Sequence, residues 1–188
     1  QKLMADRIGV GWRADPATMA HHLTGGEYQL YPYVRLLAGK LVEAVKGIDP
    51  RQIWNVPSQV GKTTLVCTHG VPWILEHFPH LRCMYVTMDA DKAVEEGGKA
   101  RDFIETHQGE LTVRLRPDRR ARGMWRTEQG GGLYATGVLG GIVGYPADVL
   151  IMDDLMKGWL AAASETQRKA IVNIYRTQLR MRVQGGRS

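Results

Sequence analysis

The stretch that decides the expected fold is Asn55-Val56-Pro57-Ser58-Gln59-Val60-Gly61-Lys62-Thr63-Thr64. Its apolar approach, from Gln52 to Val56, predicts a strand, and a tight turn then leads into Gly-Lys-Thr at the start of a helix. Nucleoside triphosphates are held by inward-pointing backbone N–H groups, by a lysine that reaches the outer phosphates and by a hydroxyl that helps to bind Mg²⁺. Because Gly61, Lys62 and Thr63 supply these groups, the stretch predicts a phosphate-binding loop.

The loop motif is incomplete, since the full pattern has a glycine at the position of Val56. Gly-Lys-Thr alone is common, and the competing interpretation is a surface turn. A second element favours the nucleotide site: the apolar run from Ala147 to Met152 ends in Asp153 and Asp154, as a buried strand of a parallel sheet can end. In a phosphate-loop enzyme this strand ends beside the loop, which predicts that two distant parts of the chain meet around one triphosphate.

The two motifs together predict a role for each polar residue. Lys62 neutralises charge on the outer phosphates, and Asp154 polarises the attacking water. Thr63 and Asp153 hold Mg²⁺, the aspartate through water, and Thr64 either contacts the α-phosphate or caps the helix. The predicted catalytic residues are Lys62, Asp153 and Asp154. The predicted nucleotide-binding residues of the loop are Ser58, Gln59, Val60, Gly61, Lys62, Thr63 and Thr64.

Length and composition favour one α/β domain. The chain has 188 residues, of which 44% are hydrophobic, and no run is long and apolar enough to span a bilayer. Its start, Gln1 to Met4, lacks the apolar segment of a secretory leader, and the missing initiator methionine is expected of a trimmed chain. Cys67 and Cys83 lie in apolar stretches, which predicts core thiols in a reducing compartment rather than a disulfide or a metal site.

The charge of the chain favours an acidic partner. The formal net charge is +6, and two groups of arginines could follow the phosphates of a nucleic acid. The alternative for either group is a solvated basic face. The first group comprises Arg114, Arg116, Arg119, Arg120, Arg122 and Arg126. The second comprises Arg176, Arg180, Arg182 and Arg187.

Organised structure is expected after an irregular leading segment, residues 1–26. Helical spacing of apolar residues predicts a helix over Pro32–Lys46, and Cys83–Met88 reads as a short buried strand. Asp89 or Asp91 should cap the helix that follows, to about residue 106, and a capping box at Ser164 opens another to about residue 179. Between 111 and 144, arginines and glycines indicate short strands joined by turns. The alternation of strands and helices predicts a mainly parallel central sheet flanked by helices.

The order of these residues along the chain resembles the large subunit of phage DNA-packaging terminases. The likeness covers most of the chain and is more specific than either nucleotide motif alone. It rests on the following segments and residues: Pro32 to Leu37, Val56 to Thr64, Trp73 to Leu75 ahead of Pro79 and Leu81, Arg101-Asp102, Trp125, Gly131-Gly132 to Thr136-Gly137, Leu150 to Asp154, Lys157, Tyr175, Leu179 and Arg182.

The resemblance implies a phosphate-loop ATPase domain of the RecA-like type over residues 27–188. Such a motor uses ATP and Mg²⁺ to push double-stranded DNA through a portal protein into a procapsid, in the host cytoplasm, with a small terminase subunit as a further partner. It works as a homo-oligomeric ring, with a monomer in isolation as the alternative, and no membrane takes part. The family's C-terminal nuclease domain does not match any residues here. A truncated or cleaved chain is therefore expected, without nuclease activity and unable to package DNA alone.

Some assignments depend on the resemblance alone. Related motors hold adenine with an aromatic face and a glutamine amide, which implies Gln29 and Tyr33, with Tyr31 beside them. The alternative for these aromatics is packing in the core or as a hydrophobic staple. An arginine that reaches a neighbour's ATP is not evident ahead of the acidic strand. The remaining possibilities are Arg101, Arg119, Arg120 and Arg122, and a solvated ion pair with Asp102 is the alternative for Arg101.

Departures from the family pattern leave two rivals open. Many relatives have an arginine near the position of Ser58. Many also have a glutamate at the position of Asp154. The aspartate side chain is shorter, so it can polarise water only if the strand end or an intervening water closes the remaining distance. The proline that often follows an Asp-Asp pair is Leu155 here. One rival is a helicase-like DNA translocase ATPase. The other is a DNA-binding module whose ATP site is vestigial.

Overall fold

The computed structural model describes residues 9–57, 59–140, 144–156 and 158–183, and of Trp159 the backbone only. The described helices are α1 (Pro16–Leu23), α2 (Pro32–Val45), α3 (Gly70–His77), α4 (Ala90–Thr106), α5 (Gly158–Ala163) and α6 (Glu165–Ile174). A π-helical segment, Thr64–His69, runs directly into α3, and a second one, Tyr175–Leu179, follows α6. Short 3₁₀ turns occupy Gly11–Arg13 and Arg180–Arg182. The strands are β1 (Arg82–Thr87), β2 (Leu115–Ala121), β3 (Met124–Thr127), β4 (Gly132–Gly137) and β5 (Val149–Met152).

The α/β architecture with helices beside a central sheet is confirmed, but the sheet is mixed. Its strand order is β2-β3-β4-β1-β5, with β1 parallel to both β4 and β5. The pairs β2-β3 and β3-β4 are antiparallel. The prediction of a mainly parallel sheet was wrong because the glycine- and arginine-rich stretch forms a hairpin through the turn Arg122-Gly123, and so short a turn can join only antiparallel strands.

The strand expected over Gln52–Val56 is absent. The described residues 52–57 carry no strand pairing, and their exposure alternates: Ile53 is 98% exposed, whereas Trp54 and Val56 pack against the cluster around Leu65. The alternation of exposed and partly buried side chains is therefore present in this segment, but no described strand pairs with it. On the outer side of β5, the described pairing is a single parallel bridge between Ala147 and Val183.

The leading segment contains a helix that the sequence analysis missed. Asp15 caps α1, because its carboxylate accepts hydrogen bonds from the N–H groups of Ala17 and Thr18, each at 2.9 Å. Met19 and Leu23 then enter the main hydrophobic core. A helix of eight residues is too short for a clear apolar period, but an aspartate followed by proline is a recognised start signal.

The main core lies between the sheet and the helices α1, α3 and α4, and its largest side chains include Trp73, Phe78, Tyr85 and Trp125. Cys67 and Cys83 are buried, free thiols, and burial raises the pKa of each. Among the described residues, no helix combines the length and the apolar character needed to cross a bilayer.

Candidate nucleotide site

The loop is shaped by two residues with left-handed backbone conformations. Gln59 has φ +63° and Gly61 has φ +75°, and helical structure begins at Lys62. The Leu65 N–H donates to the Gly61 carbonyl at 2.9 Å, which closes the first helical turn. In such a turn the leading N–H groups have no acceptor within the helix and are available to an anion. A Cβ added to Gly61 would meet no described atom within 4 Å, so the described part of the loop leaves open space beside this residue. Ser58 lies outside the described residues.

The two distant motifs meet at Thr63 and Asp153. The Thr63 hydroxyl donates a hydrogen bond to Oδ2 of Asp153, across 90 positions of sequence. Asp153 is only 7% exposed, and its own N–H donates to the Val86 carbonyl at 2.9 Å, at the end of β1. This hydrogen bond joins the end of β5 to the helix after the loop, on the side of the sheet where the carboxyl ends of β1 and β5 lie.

Tyr85 is a further residue of this site, and sequence reasoning missed it. Its hydroxyl donates to the same Oδ2 of Asp153 at 3.1 Å. Burial, with the nearby Asp153 charge as the second cause, raises the pKa of Tyr85 far above its usual value, so the phenol stays protonated as a donor. The available signal was a tyrosine inside a buried strand, because a buried phenol usually has a polar partner.

The surroundings of Asp154 differ from those of the buried Asp153. It has φ +49°, its carbonyl accepts from the Met88 N–H at 3.2 Å, and its side chain is 59% exposed. One carboxylate oxygen lies 3.7 Å from Nζ of Lys92, in the first turn of α4. Both side chains line a cleft of about 200 Å³. The structure therefore gives Asp154 a cationic neighbour, while its described contacts do not include the predicted phosphate-binding loop.

Lys62 and Thr64 keep their predicted positions at the helix start, each partly exposed. Neither has a side-chain hydrogen bond or ion pair with the described residues. Val60 is partly exposed and Gln59 is exposed, so the described loop side chains do not close the space above the backbone.

The adenine candidates lie just before α2 or on its first turn. The Gln29 amide donates to the Gly26 carbonyl at 2.8 Å and is exposed. The rings of Tyr31 and Tyr33 stack nearly parallel, with centroids 5.8 Å apart, and both are exposed. These aromatics are therefore surface residues, which contradicts packing in the core and leaves the hydrophobic-staple alternative open.

The buried face of α2 connects this region to the loop. Val34 and Leu37 share one cluster with Trp54 and Val56, which precede the loop, and with Leu65, which follows it. Packing thus places α2 beside both ends of the loop. The described contacts do not join Gln29 or Tyr33 to the loop itself.

The four arginines considered for a neighbour's ATP all lie on α4 or on the β2–β3 hairpin. Arg101 binds Asp102, with its Nε 3.0 Å from Oδ1, and its Nη1 donates to the Arg120 carbonyl at 2.7 Å. Arg120 approaches Glu105 at 3.5 Å, and Arg122 approaches Asp102 at 3.6 Å. Arg101 is thus part of an ion pair inside the chain, while Arg119 makes no side-chain hydrogen bond or ion pair with the described residues.

The residues at the site fit a magnesium-bound triphosphate. Oδ1 of Asp153 accepts no hydrogen bond from the described residues, although Oδ2 accepts two. Within the described ranges, no group of three or more histidines, cysteines or carboxylates could hold a metal by itself. Mg²⁺ bound to a nucleotide needs no such group, because phosphates and waters supply most of its ligands. Thr63 and Asp153 would be its protein partners.

No protein-family model matches the chain, and no curated protein is significantly similar to it. Any function must therefore be argued from the residues of the chain itself.

Proposed function

We propose that this chain is the ATPase domain of a DNA-packaging motor of the terminase large-subunit type. The observation that carries the proposal is the hydrogen bond between Thr63 and Asp153. A surface turn would not require its threonine to meet a buried carboxylate from a strand 90 residues away, whereas a phosphate-loop site requires this pairing. In support, the helix start after the loop and the residue after β5 meet at the carboxyl ends of the parallel strands β1 and β5, where α/β sheets commonly bind ligands.

Each residue of the site has a definite task in this proposal. Lys62 stabilises the charge of the outer phosphates, with the N–H groups at the helix start. Thr63 and Asp153 would hold Mg²⁺, which when bound neutralises phosphate charge as the γ-phosphoryl group leaves. Tyr85 keeps the Asp153 carboxylate oriented towards Thr63. Asp154 is assigned to orient the attacking water, which requires its carboxylate to leave Lys92 and turn towards the bound triphosphate.

The wider setting follows from the family resemblance. Hydrolysis drives double-stranded DNA into a procapsid within the host cytoplasm, by gripping the phosphate backbone through contacts that are independent of base sequence. A portal protein and a small terminase subunit are the expected partners. A ring of identical subunits lets an arginine of one copy complete the ATP site of the next.

The decisive experiment measures ATP hydrolysis at increasing protein concentration, with and without duplex DNA. We expect a rate per subunit that rises with concentration, because neighbours complete each other's sites. Lys62→Ala should abolish turnover. Lys169→Ala is the matched control, since that exposed lysine lies on α6 and pairs with Glu165 at 2.7 Å. Strand displacement by the protein would favour the helicase-like rival instead.

A DNA-binding module with a vestigial ATP site is the second possibility, and one observation favours it. Asp154 faces Lys92 rather than the described loop residues, so the carboxylate assigned to water is not at the loop. Binding of a fluorescent ATP analogue separates the two functions. Duplex binding without nucleotide binding, in protein that is folded by circular dichroism, would establish the module and remove the ATPase proposal.

A further inference from the structure

The outer strand of the β2–β3 hairpin is unusually open. From Arg116 to Ala121 every residue is exposed, so neither face of the strand is covered. β2 is also the edge strand of the sheet. We use the term hairpin surface for its exposed arginines, Arg116, Arg119, Arg120 and Arg122.

The hairpin surface is held firmly in place. Trp125 on β3 is fully buried, and its indole N–H donates to the Gly97 carbonyl of α4 at 2.9 Å. Arg101 adds a bond from α4 to the backbone of Arg120 at 2.7 Å. The turn sits so close to α4 that a Cβ on Gly123 would lie 2.8 Å from the Val94 side chain. Arginines on a fixed support lose less freedom on binding than arginines on a mobile arm.

The carboxylates around the hairpin surface do not cancel its charge. Arg116 pairs with Asp118 at 2.8 Å, whereas Arg120 and Arg122 are 3.5 and 3.6 Å from their carboxylates. Arg119 has no such partner among the described residues. Exposed ion pairs of this kind are weak, and a guanidinium has five N–H donors, so the arginines can still bind an external anion.

The spacing and the side-chain types of the hairpin surface favour a duplex over a single strand as the anionic partner. Six residue steps from Arg116 to Arg122 span at most about 20 Å, which is the rise of about six base pairs of duplex. Binding of single strands relies on exposed aromatic platforms for base stacking. The one aromatic residue of the hairpin, Trp125, is buried and cannot provide such a platform. Arginines without aromatics suit the regular phosphate backbone of a duplex.

We propose that the hairpin surface binds the phosphate backbone of double-stranded DNA. The choice of DNA rests on the proposed function; the surface itself is argued from exposure, support and charge. The competing explanation is that the arginines and Pro117 only protect an edge strand from pairing with another chain. This alternative requires no affinity for DNA.

The test is fluorescence anisotropy of a labelled 20-base-pair duplex, titrated with the nucleotide-free chain at several salt concentrations. The slope of log affinity against log salt counts phosphate contacts at about 0.9 each. For Arg119→Ala/Arg122→Ala we expect the slope to fall by about 2. Arg119→Lys/Arg122→Lys should retain it, because the charges remain. The matched control is Arg176→Ala/Arg180→Ala, which removes two exposed arginines from the C-terminal group.

Each other outcome overturns the proposal. An unchanged slope in the hairpin variant, or no duplex binding by the chain, leaves edge protection as the role of the arginines. A slope that falls in the C-terminal control instead assigns the DNA to that surface. Tighter binding of a single strand than of the duplex removes the backbone argument. A hairpin variant that binds DNA normally but loses ATP turnover assigns its arginines to a neighbour's ATP. Nucleotide binding is measured on the same proteins, so failure of the proposed ATP site can be distinguished from failure of the hairpin surface to bind DNA.

Discussion

Thr63 donates its hydroxyl hydrogen to Oδ2 of Asp153, and Tyr85 donates to the same oxygen from the neighbouring strand. One carboxylate oxygen is therefore held by two hydroxyls, while the other accepts nothing from the described residues. A buried carboxylate is costly unless it is hydrogen-bonded, so these donors also stabilise its charge. The arrangement fixes one oxygen within the protein and leaves the other for a ligand.

Thr63→Val should weaken magnesium-dependent nucleotide binding. The substitution keeps the shape of the side chain and removes the hydroxyl that would join Mg²⁺ and Asp153. We expect about a tenfold loss of affinity for a fluorescent ATP analogue in Mg²⁺, which corresponds to roughly 1.4 kcal/mol. Thr63→Ser retains the hydroxyl and should bind normally. Equal loss in Mg²⁺ and in EDTA would contradict the role given to the hydroxyl.

Tyr85→Phe should lower the free energy of unfolding by about 1–3 kcal/mol, since it removes a hydrogen bond to a buried carboxylate. Denaturation in urea measures the change. Tyr145→Phe is a matched control, because the Tyr145 hydroxyl is also buried but has no hydrogen-bond partner among the described residues. That control should be neutral or slightly stabilising. A similar loss in both variants would mean that the hydrogen bond to Asp153 contributes nothing specific.

Stability should fall as the pH drops from about 6.5 to about 4, because of His69. Burial, with a smaller contribution from His107, lowers the pKa of His69 to about 4 in the folded chain. The unfolded chain takes up a proton near its usual pKa of about 6.5, so protons favour unfolding throughout this window, by up to about 3 kcal/mol.

The His69 prediction is checked by urea denaturation at several pH values. His69→Phe should reduce the dependence, since a phenyl ring can keep the edge contacts with Tyr28 and Phe103 and has no site to protonate. A smaller slope should remain from His77, because burial lowers its pKa as well. His80→Gln, at an exposed position, is the control and should keep the wild-type slope. A wild-type curve that is level between pH 4 and 6.5 would refute the assignment.

Gly97→Ala should destabilise the chain by about 1–3 kcal/mol. The new Cβ would lie 2.9 Å from that of Ala135 and 3.0 Å from the Arg122 carbonyl oxygen, so α4 must move away from the hairpin. Gly39→Ala on α2 is the control, because no described atom outside its own helix backbone lies within 4 Å of the added Cβ. Helix propensity alone should make that control more stable by up to about 1 kcal/mol. Thermal denaturation of both variants provides the comparison, and opposite signs are expected.

Much of the local structure could be predicted from sequence. The helix expected over Pro32–Lys46 is α2, which ends at Val45, and Asp89 caps α4 as expected. Ser164 likewise caps α6, with its hydroxyl accepting from the Gln167 N–H at 3.4 Å. These predictions succeeded because caps and apolar spacing act within a few residues.

Predictions that depended on distant partners were less successful. Exposure alternates along 52–57, yet the strand is absent because strand formation also needs a neighbour. The mixed sheet depends on how the hairpin docks against β4, which no local pattern specifies. In the candidate site, the approach of Thr63 to Asp153 was expected from paired motifs, whereas Tyr85 and Lys92 have no motif of their own.

The π-helical segment after the loop affects how the side chains of α3 are oriented relative to the loop. A π turn encloses one residue more than an α turn, so Thr64–His69 shifts everything after it by one position, or about 100° around the axis. Gly70 to Leu75 of α3 are all buried, so the added residue sets which neighbour each of these side chains packs against. Shortening the segment by one residue would give a more regular helix but would rotate those packed side chains relative to Lys62 and Thr63.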